Sequence, residues 1–174
     1  MTDTTIFTVG HSTHPIDEFI GILKAHGIKK LIDVRTVPKS RHNPQFNADD
    51  LAASVRASGI TYRRMASLGG LRHTTKESPN GAWRNASFRG YADYMQTEEF
   101  SDAVAQLLEH GRTNNAAIMC AEAVPWRCHR SLIGDALLVR DAKVLDIMTA
   151  TSAKTHTLTS FARVDGRRVW YPPE

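Results

Sequence analysis

With 174 residues, 41% of them hydrophobic, the chain has the length of about one ordinary domain with its own core. A formal net charge of +4 is mildly basic: it suits an anionic ligand or nucleic acid and requires neither. No run of about 18 apolar residues offers a membrane span, and Met1 to Thr5 lacks the basic start and apolar middle of a signal peptide, so a cytoplasmic protein is expected.

Thr5-Ile-Phe-Thr-Val9 is apolar and β-branched and runs into Gly10-His-Ser-Thr-His-Pro15, which predicts a buried strand and a loop. Pro15 suits a first helical turn, and Ile16, Phe19, Ile20 and Leu23 repeat at helical spacing. Gly27 then stands where a left-handed cap is expected. Lys30 to Val34 reads as a second strand, so the chain opens with a βαβ unit, which implies parallel pairing. Asn47 is placed to cap a helix carrying Leu51, Ala52 and Val55 and ending at Gly59. Ile60 to Met65 is a more polar strand, suited to a sheet edge.

Ser67 to Arg89 is irregular, the length of a lid or binding loop. Helices follow over Tyr91 to Met95 and Glu99 to His110, ended by Gly111. Ala116 to Met119 is a fully apolar strand, Ser131 opens another helix, and Lys143 to Ile147 is a further strand. Asp165-Gly166 between alternating runs signals a hairpin. These elements predict one α/β domain over 1–174: three layers, a mostly parallel sheet flanked by helices, an irregular loop at 67–89 and a C-terminal hairpin or extended tail.

The chemistry gathers between Cys120 and Arg130. Two cysteines are too few for a disulfide framework and in a reducing compartment read as thiols. Cys120, at the end of a buried strand and ahead of a helix N-terminus, is a candidate thiolate nucleophile; its plain reading is a small core residue. His129 and His11 are candidate proton carriers, with Glu122 as a third catalytic candidate. Arg127, Arg130 and Arg35 offer guanidinium forks for an anion, against the plain alternative of internal pairing, Arg35 with Asp33 above all. Cys128, Ser12, Arg41, Lys39 and Tyr91 complete the anion-binding candidates. Zinc is disfavoured, because Cys120 and Cys128 do not form a compact knuckle and adjacent Cys128 and His129 diverge. Trp83, Phe88, Tyr91, Arg84 and Arg89 mix aromatics with arginines, which fits base stacking or the pinning of a long loop.

Several segments together resemble one bacterial family: Val9-Gly-His-Ser12, Asp33-Val-Arg35, Pro38-x-Ser-Arg41, Asn43-Pro-x-Phe46, Leu68-Gly-Gly70, Phe88-x-Gly-Tyr91, Cys120-Ala-Glu122, Cys128-His-Arg130 and Leu158-Thr-x-Phe-Ala-x-Val. The set, running from Phe7 to Tyr171, is similar to the family catalogued as domain of unknown function 488. Ser160 departs from the proline expected in the last motif. The resemblance implies a cytoplasmic α/β protein and supplies no activity.

The loops after the first, second and fourth strands are expected to converge on one rim. The expected function is an enzyme, a cysteine- and histidine-dependent hydrolase or transferase, acting on a phosphate-bearing nucleotide or nucleic acid. The alternative is a non-catalytic module binding nucleotide or nucleic acid through the basic rim and aromatic loop. The sequence specifies no cofactor and no oligomeric state; an anionic small molecule or nucleic acid is the expected partner, and no membrane.

Overall fold

The computed structural model describes residues 4–173. A six-stranded sheet is built from β1 (Thr5–Gly10), β2 (Lys30–Asp33), β3 (Thr61–Arg64), β4 (Ala116–Cys120), β5 (Lys143–Thr149) and β6 (Ser152–Thr155). Its order is β3-β2-β4-β1-β5-β6, parallel except for β6. Five helices flank it: α1 (Ile16–Ala25), α2 (Ala48–Ala57), α3 (Ala86–Tyr94), α4 (Glu98–Thr113) and α5 (Arg130–Leu138). A separate hairpin, β7 (Arg163–Asp165) and β8 (Arg168–Trp170), turns at Gly166, whose φ is +61°.

The central strands are apolar because both faces are covered. Along β4, Ala117 and Met119 join Phe19, Leu23, Leu51 and Val55 of α1 and α2, while Ala116 and Ile118 join Tyr91, Phe100, Val104 and Leu132 of α3, α4 and α5. The two-residue period of the strand thus sorts its side chains into two cores, which is why it reads as a continuous hydrophobic run. β3 has no strand beyond it and carries exposed Thr61, Arg63 and Arg64, as its polarity predicts.

Strand order places the site. α1 carries the chain from β1 past β4 to β2 on one face, and α5 carries it from β4 past β1 to β5 on the other. The chain therefore leaves neighbouring strand ends in opposite directions, the arrangement that opens a crevice at the carboxyl edge of a parallel sheet.

Local readings needed revision at several points. Gly111 does not end α4, which runs on to Thr113. A Cβ there would lie 2.4 Å from Ile6 Cδ1, so this glycine lets the helix close onto β1. Asn47 occupies the N-cap of α2, but its side chain takes the Ser40 amide instead, at 2.7 Å, and fastens the preceding loop. α3 begins earlier than its apolar pattern suggests, at Ala86, because Asn85 Oδ1 accepts from the amides of Ser87 and Phe88. β6 was not anticipated; its four residues are all exposed and show no alternation to detect.

Residues 69–85 lack a helix or strand yet are firmly tied. Asp93 of α3 accepts from Thr74 Oγ1, the Thr75 amide, Ser78 Oγ and Asn80 Nδ2. Burial pushes its carboxyl pKa up, but these four bonds outweigh that and hold it below the usual carboxylate range. Trp83 packs edge-on against Phe88, Phe161 and Tyr171, and Arg89 donates to the Trp83 carbonyl. The aromatic–arginine mix therefore pins this loop and the C-terminal tail to the core.

Candidate functional site

The first and fourth loops are joined backbone to backbone. Beyond the last ladder pair, Gly10 with Cys120, the His11 amide donates to Cys120 O at 2.9 Å and the Ser12 amide to Ala121 O at 3.0 Å. The loop after β4 then folds across the end of β1. A Cβ on Gly10 would lie 1.6 Å from Glu122 O and 3.0 Å from Ala123 Cα, so only glycine fits.

This convergence frames a cleft of about 450 Å³, within the range of small-ligand pockets. Of the predicted residues, His11, Arg35, Tyr91, Cys120, Glu122, Arg127, Cys128 and His129 line it. Lys39 joins them, as does Phe88 of the aromatic–arginine mix, and Val37 and Leu71 extend an apolar wall that the sequence reading did not assign. Ser12, Arg41 and Arg130 do not line it. Ser12, in the left-handed region at φ +48°, is held by its backbone, its amide on Ala121 O and its carbonyl on His11; Arg41 is exposed on the loop after β2.

Arg130 lies beneath the floor, fully buried. Its Nε donates to Cys120 Sγ at 3.1 Å, NH1 to Thr8 Oγ1 at 3.0 Å and NH2 to Glu122 O at 2.9 Å. No carboxylate among the described residues touches it; the Thr8 hydroxyl stands between, donating its own hydrogen bond to Asp146. Glu122 contributes its carbonyl here, while the residue itself is exposed.

Burial works against ionising Cys120, but the Cys128 thiol donating to it, the Arg130 charge and the Glu122 backbone together bring its pKa below the ordinary thiol value. Cys128 moves the other way: its hydrogen bond to Cys120 and its burial both keep its proton on. Of the two thiols, Cys120 is therefore the one that ionises first.

Both histidines are neutral at pH 7. Burial lowers each to about 4, and nearby guanidinium charge adds to the effect. Hydrogen bonds fix the tautomers. His129 Nε2 donates to Val34 O at 2.9 Å, which leaves Nδ1 as an acceptor 3.4 Å from Cys128 Sγ. His11 Nδ1 donates to Ser12 O at 2.8 Å, Nε2 faces Arg35 NH1 at 3.4 Å, and the ring stacks on Phe46 at 4.2 Å. With both nitrogens engaged, His11 is positioned wall, whereas His129 keeps a usable lone pair.

Arg35 is committed. Nε and NH2 grip both oxygens of Asp33 at 2.9 and 2.7 Å, and Tyr62 Oη donates to the same carboxylate. This is the structural pair anticipated as the plain reading. Among the described residues, Lys39 and Arg127 have no salt-bridge partner, so they are the cleft's uncommitted cations. Among those residues, too, no three His, Cys, Asp or Glu side chains are grouped as a metal ion would need.

The profile of a family described as a domain of unknown function, DUF488, matches residues 15–137. The chain belongs to this family. The DUF488 match includes Asp33, Arg35, Lys39, Tyr91 and the whole stretch from Cys120 to Arg130. His11, Ser12 and the Leu158–Val164 motif lie outside it. No curated protein and no solved structure gives a significant match.

The sequence reading missed the charged groups behind Arg130. Asp146 sits in Val144-Leu-Asp-Ile147 and Asp135 in Leu132-Ile-Gly-Asp-Ala-Leu137, each buried among apolar neighbours. A carboxylate inside an apolar run must find partners, because burying it alone costs several kcal/mol, and that was the available signal.

Proposed function

We propose that this DUF488 protein is an enzyme of the hydrolase or transferase type in which Cys120 attacks a phosphate-bearing substrate, a nucleotide or a nucleic-acid end. The observation that carries the reading is Arg130 Nε at 3.1 Å from Cys120 Sγ, a wholly buried cation set against a thiol at the floor of an open cleft. A thiolate is the nucleophilic form of cysteine, and a fixed neighbouring cation is how proteins maintain it at neutral pH. Lys39 and Arg127 are the groups free to hold the phosphate, and Val37, Leu71 and Phe88 offer a surface for a base or other apolar body. In the attack the thiolate sulfur bonds to phosphorus as the phosphorus–oxygen bond to the leaving group breaks, and the leaving oxygen takes its proton from water. Water or a second alcohol then displaces the sulfur; His129 Nδ1 keeps its lone pair beside Cys128.

The test is turnover of a panel of nucleotides and phosphomonoesters by the purified protein and its C120S variant, together with the pH profile of Cys120 alkylation. Turnover lost in C120S, with Cys120 titrating below an ordinary thiol, supports the proposal. An ordinary thiol profile and no turnover of any member sink it.

The exposed side chains of Val37 (58%), Leu71 (71%) and Trp126 (59%) favour a second reading, a binding module for nucleotide or nucleic acid. That reading predicts binding that survives C120S and, for a polynucleotide, weakens steeply with salt.

A further inference from the structure

Behind Arg130 the structure holds a continuous chain of buried polar groups that the cleft does not use. Thr8 Oγ1 accepts from Arg130 NH1 at 3.0 Å and donates to Asp146 Oδ1. Asp146 Oδ2 faces His156 Nδ1 at 3.3 Å, and His156 Nε2 reaches Asp135 Oδ1 at 2.9 Å. Asp135 is further held by the Thr159 amide, Thr159 Oγ1 and Tyr171 Oη. Asp135 and Asp146 are 0% and 4% exposed, so little water screens these charges.

We infer that Asp146 and His156 are positioning residues that set, through Thr8 and Arg130, how readily Cys120 gives up its proton. The inference rests on the reading of Cys120 as the reactive thiolate. The charges make the argument. His156 lies between two carboxylates that raise its pKa to about 9 against the opposing effect of burial, so it is a cation at neutral pH. Arg130 and His156 then balance Asp135 and Asp146, two against two. The Cys120 thiolate has no counter-charge of its own. Besides the hydrogen bonds from Cys128 and the Glu122 backbone, it is held by that part of the Arg130 field which Asp146 leaves uncancelled, and Asp146 is in turn offset by His156.

The groups facing each member are few. Cys120 meets Cys128, Arg130 and the Glu122 backbone; Asp146 meets Thr8 and His156, with Lys154 opposite it in the β5–β6 register; His156 meets Asp135 and Asp146 and packs on Gly134, where a Cβ would lie 2.8 Å from Nε2. Gly134 in the middle of α5 is thus the space that lets the histidine reach Asp135.

The relay predicts changes of opposite sign. D146N removes the competing negative charge, strengthens the Arg130 field at sulfur and lowers the Cys120 pKa. H156Q leaves Asp146 unopposed and raises it. T8V breaks the link and shifts the profile, while T8S keeps the hydroxyl and the wild-type profile. The experiment is iodoacetamide alkylation of the intact full-length protein from pH 5 to 10, with Cys120 read by peptide-resolved mass spectrometry. Thermal melting is recorded alongside, so that only folded variants are scored.

Expected at pH 6 is about a three- to tenfold faster Cys120 reaction in D146N and a comparable slowing in H156Q, a tenfold change being one pKa unit. Should D146N fail to fold, T8V against T8S decides alone. Wild-type profiles in every folded variant overturn the relay while leaving the thiolate reading intact. An ordinary thiol profile in the wild type overturns the thiolate reading first.

Discussion

Gly10 Cα and the Glu122 carbonyl oxygen are packed so closely that one added methyl group would sit 1.6 Å from that oxygen. The obstacle is backbone, so no side-chain rotation relieves it. Gly10→Ala is expected to push the 121–129 loop off the end of β1, costing more than about 2 kcal/mol and changing the Cys120 reaction rate with it. Gly21 is the control: exposed in α1, with nothing within 4 Å of its virtual Cβ. Gly21→Ala should gain roughly 0.5–1 kcal/mol through helix propensity. Thermal melts of the two variants moving in opposite directions check the contact.

The folded-state shifts of three histidines give stability a defined pH optimum. His11 and His129, at about 4 against an unfolded value of 6.5, bind fewer protons folded than unfolded between those values. Their contribution is complete above pH 6.5 and is lost as pH falls through 4. His156, raised to about 9, behaves oppositely: its contribution is complete below pH 6.5 and is lost as pH rises through 9. The melting temperature should therefore peak near pH 6.5. H156Q should flatten the alkaline limb alone, and an unchanged alkaline limb would refute the assignment of that limb to His156. NMR titration of the histidine ring protons checks the three values directly.

The elements legible in the sequence were those whose burial is uniform. β1, β2, β4 and α1 announce themselves because sheet and helix each impose one period on apolar residues that all face a core. The strand order was not legible, since β4 inserts between β1 and β2 through contacts far apart in the chain. The site was legible in part: Cys120, Cys128 and His129 stand in one short loop, and parallel pairing of β1 with β4 brings His11 to them. Arg130 was seen as an anion grip, but its spacing within a helix start does not reveal which way it turns. It turns inward, because Cys120, Thr8 and the Glu122 carbonyl supply partners there.

Asp135 joins α5 to the C-terminal tail, accepting from Thr159 twice and from Tyr171 Oη at 2.7 Å. D135N keeps the shape but removes the charge that holds His156 and these donors. It should destabilise the protein by about 2–3 kcal/mol. Tyr171→Phe removes one hydroxyl and should cost about 1 kcal/mol. Chemical denaturation measures both, and equal losses for the two variants would show that Asp135 matters only through Tyr171.

Among the described residues, Lys39 and Arg127 differ from the other cations at the cleft in having no salt-bridge partner. Arg35 is consumed by Asp33 and Arg130 by Cys120, Thr8 and Glu122, so replacing either confounds binding with folding. K39A and R127A should leave the melting temperature unchanged. Each should weaken binding of a phosphate-bearing substrate by about fivefold, the value of about 1 kcal/mol for one exposed charge-assisted contact. Added salt should shrink that difference, since it screens the interaction the variants remove. Binding measured by isothermal titration at two ionic strengths makes the comparison. A salt-independent affinity, equal in wild type and both variants, would mean that ligands enter the cleft on its apolar wall and that the phosphate assignment is wrong.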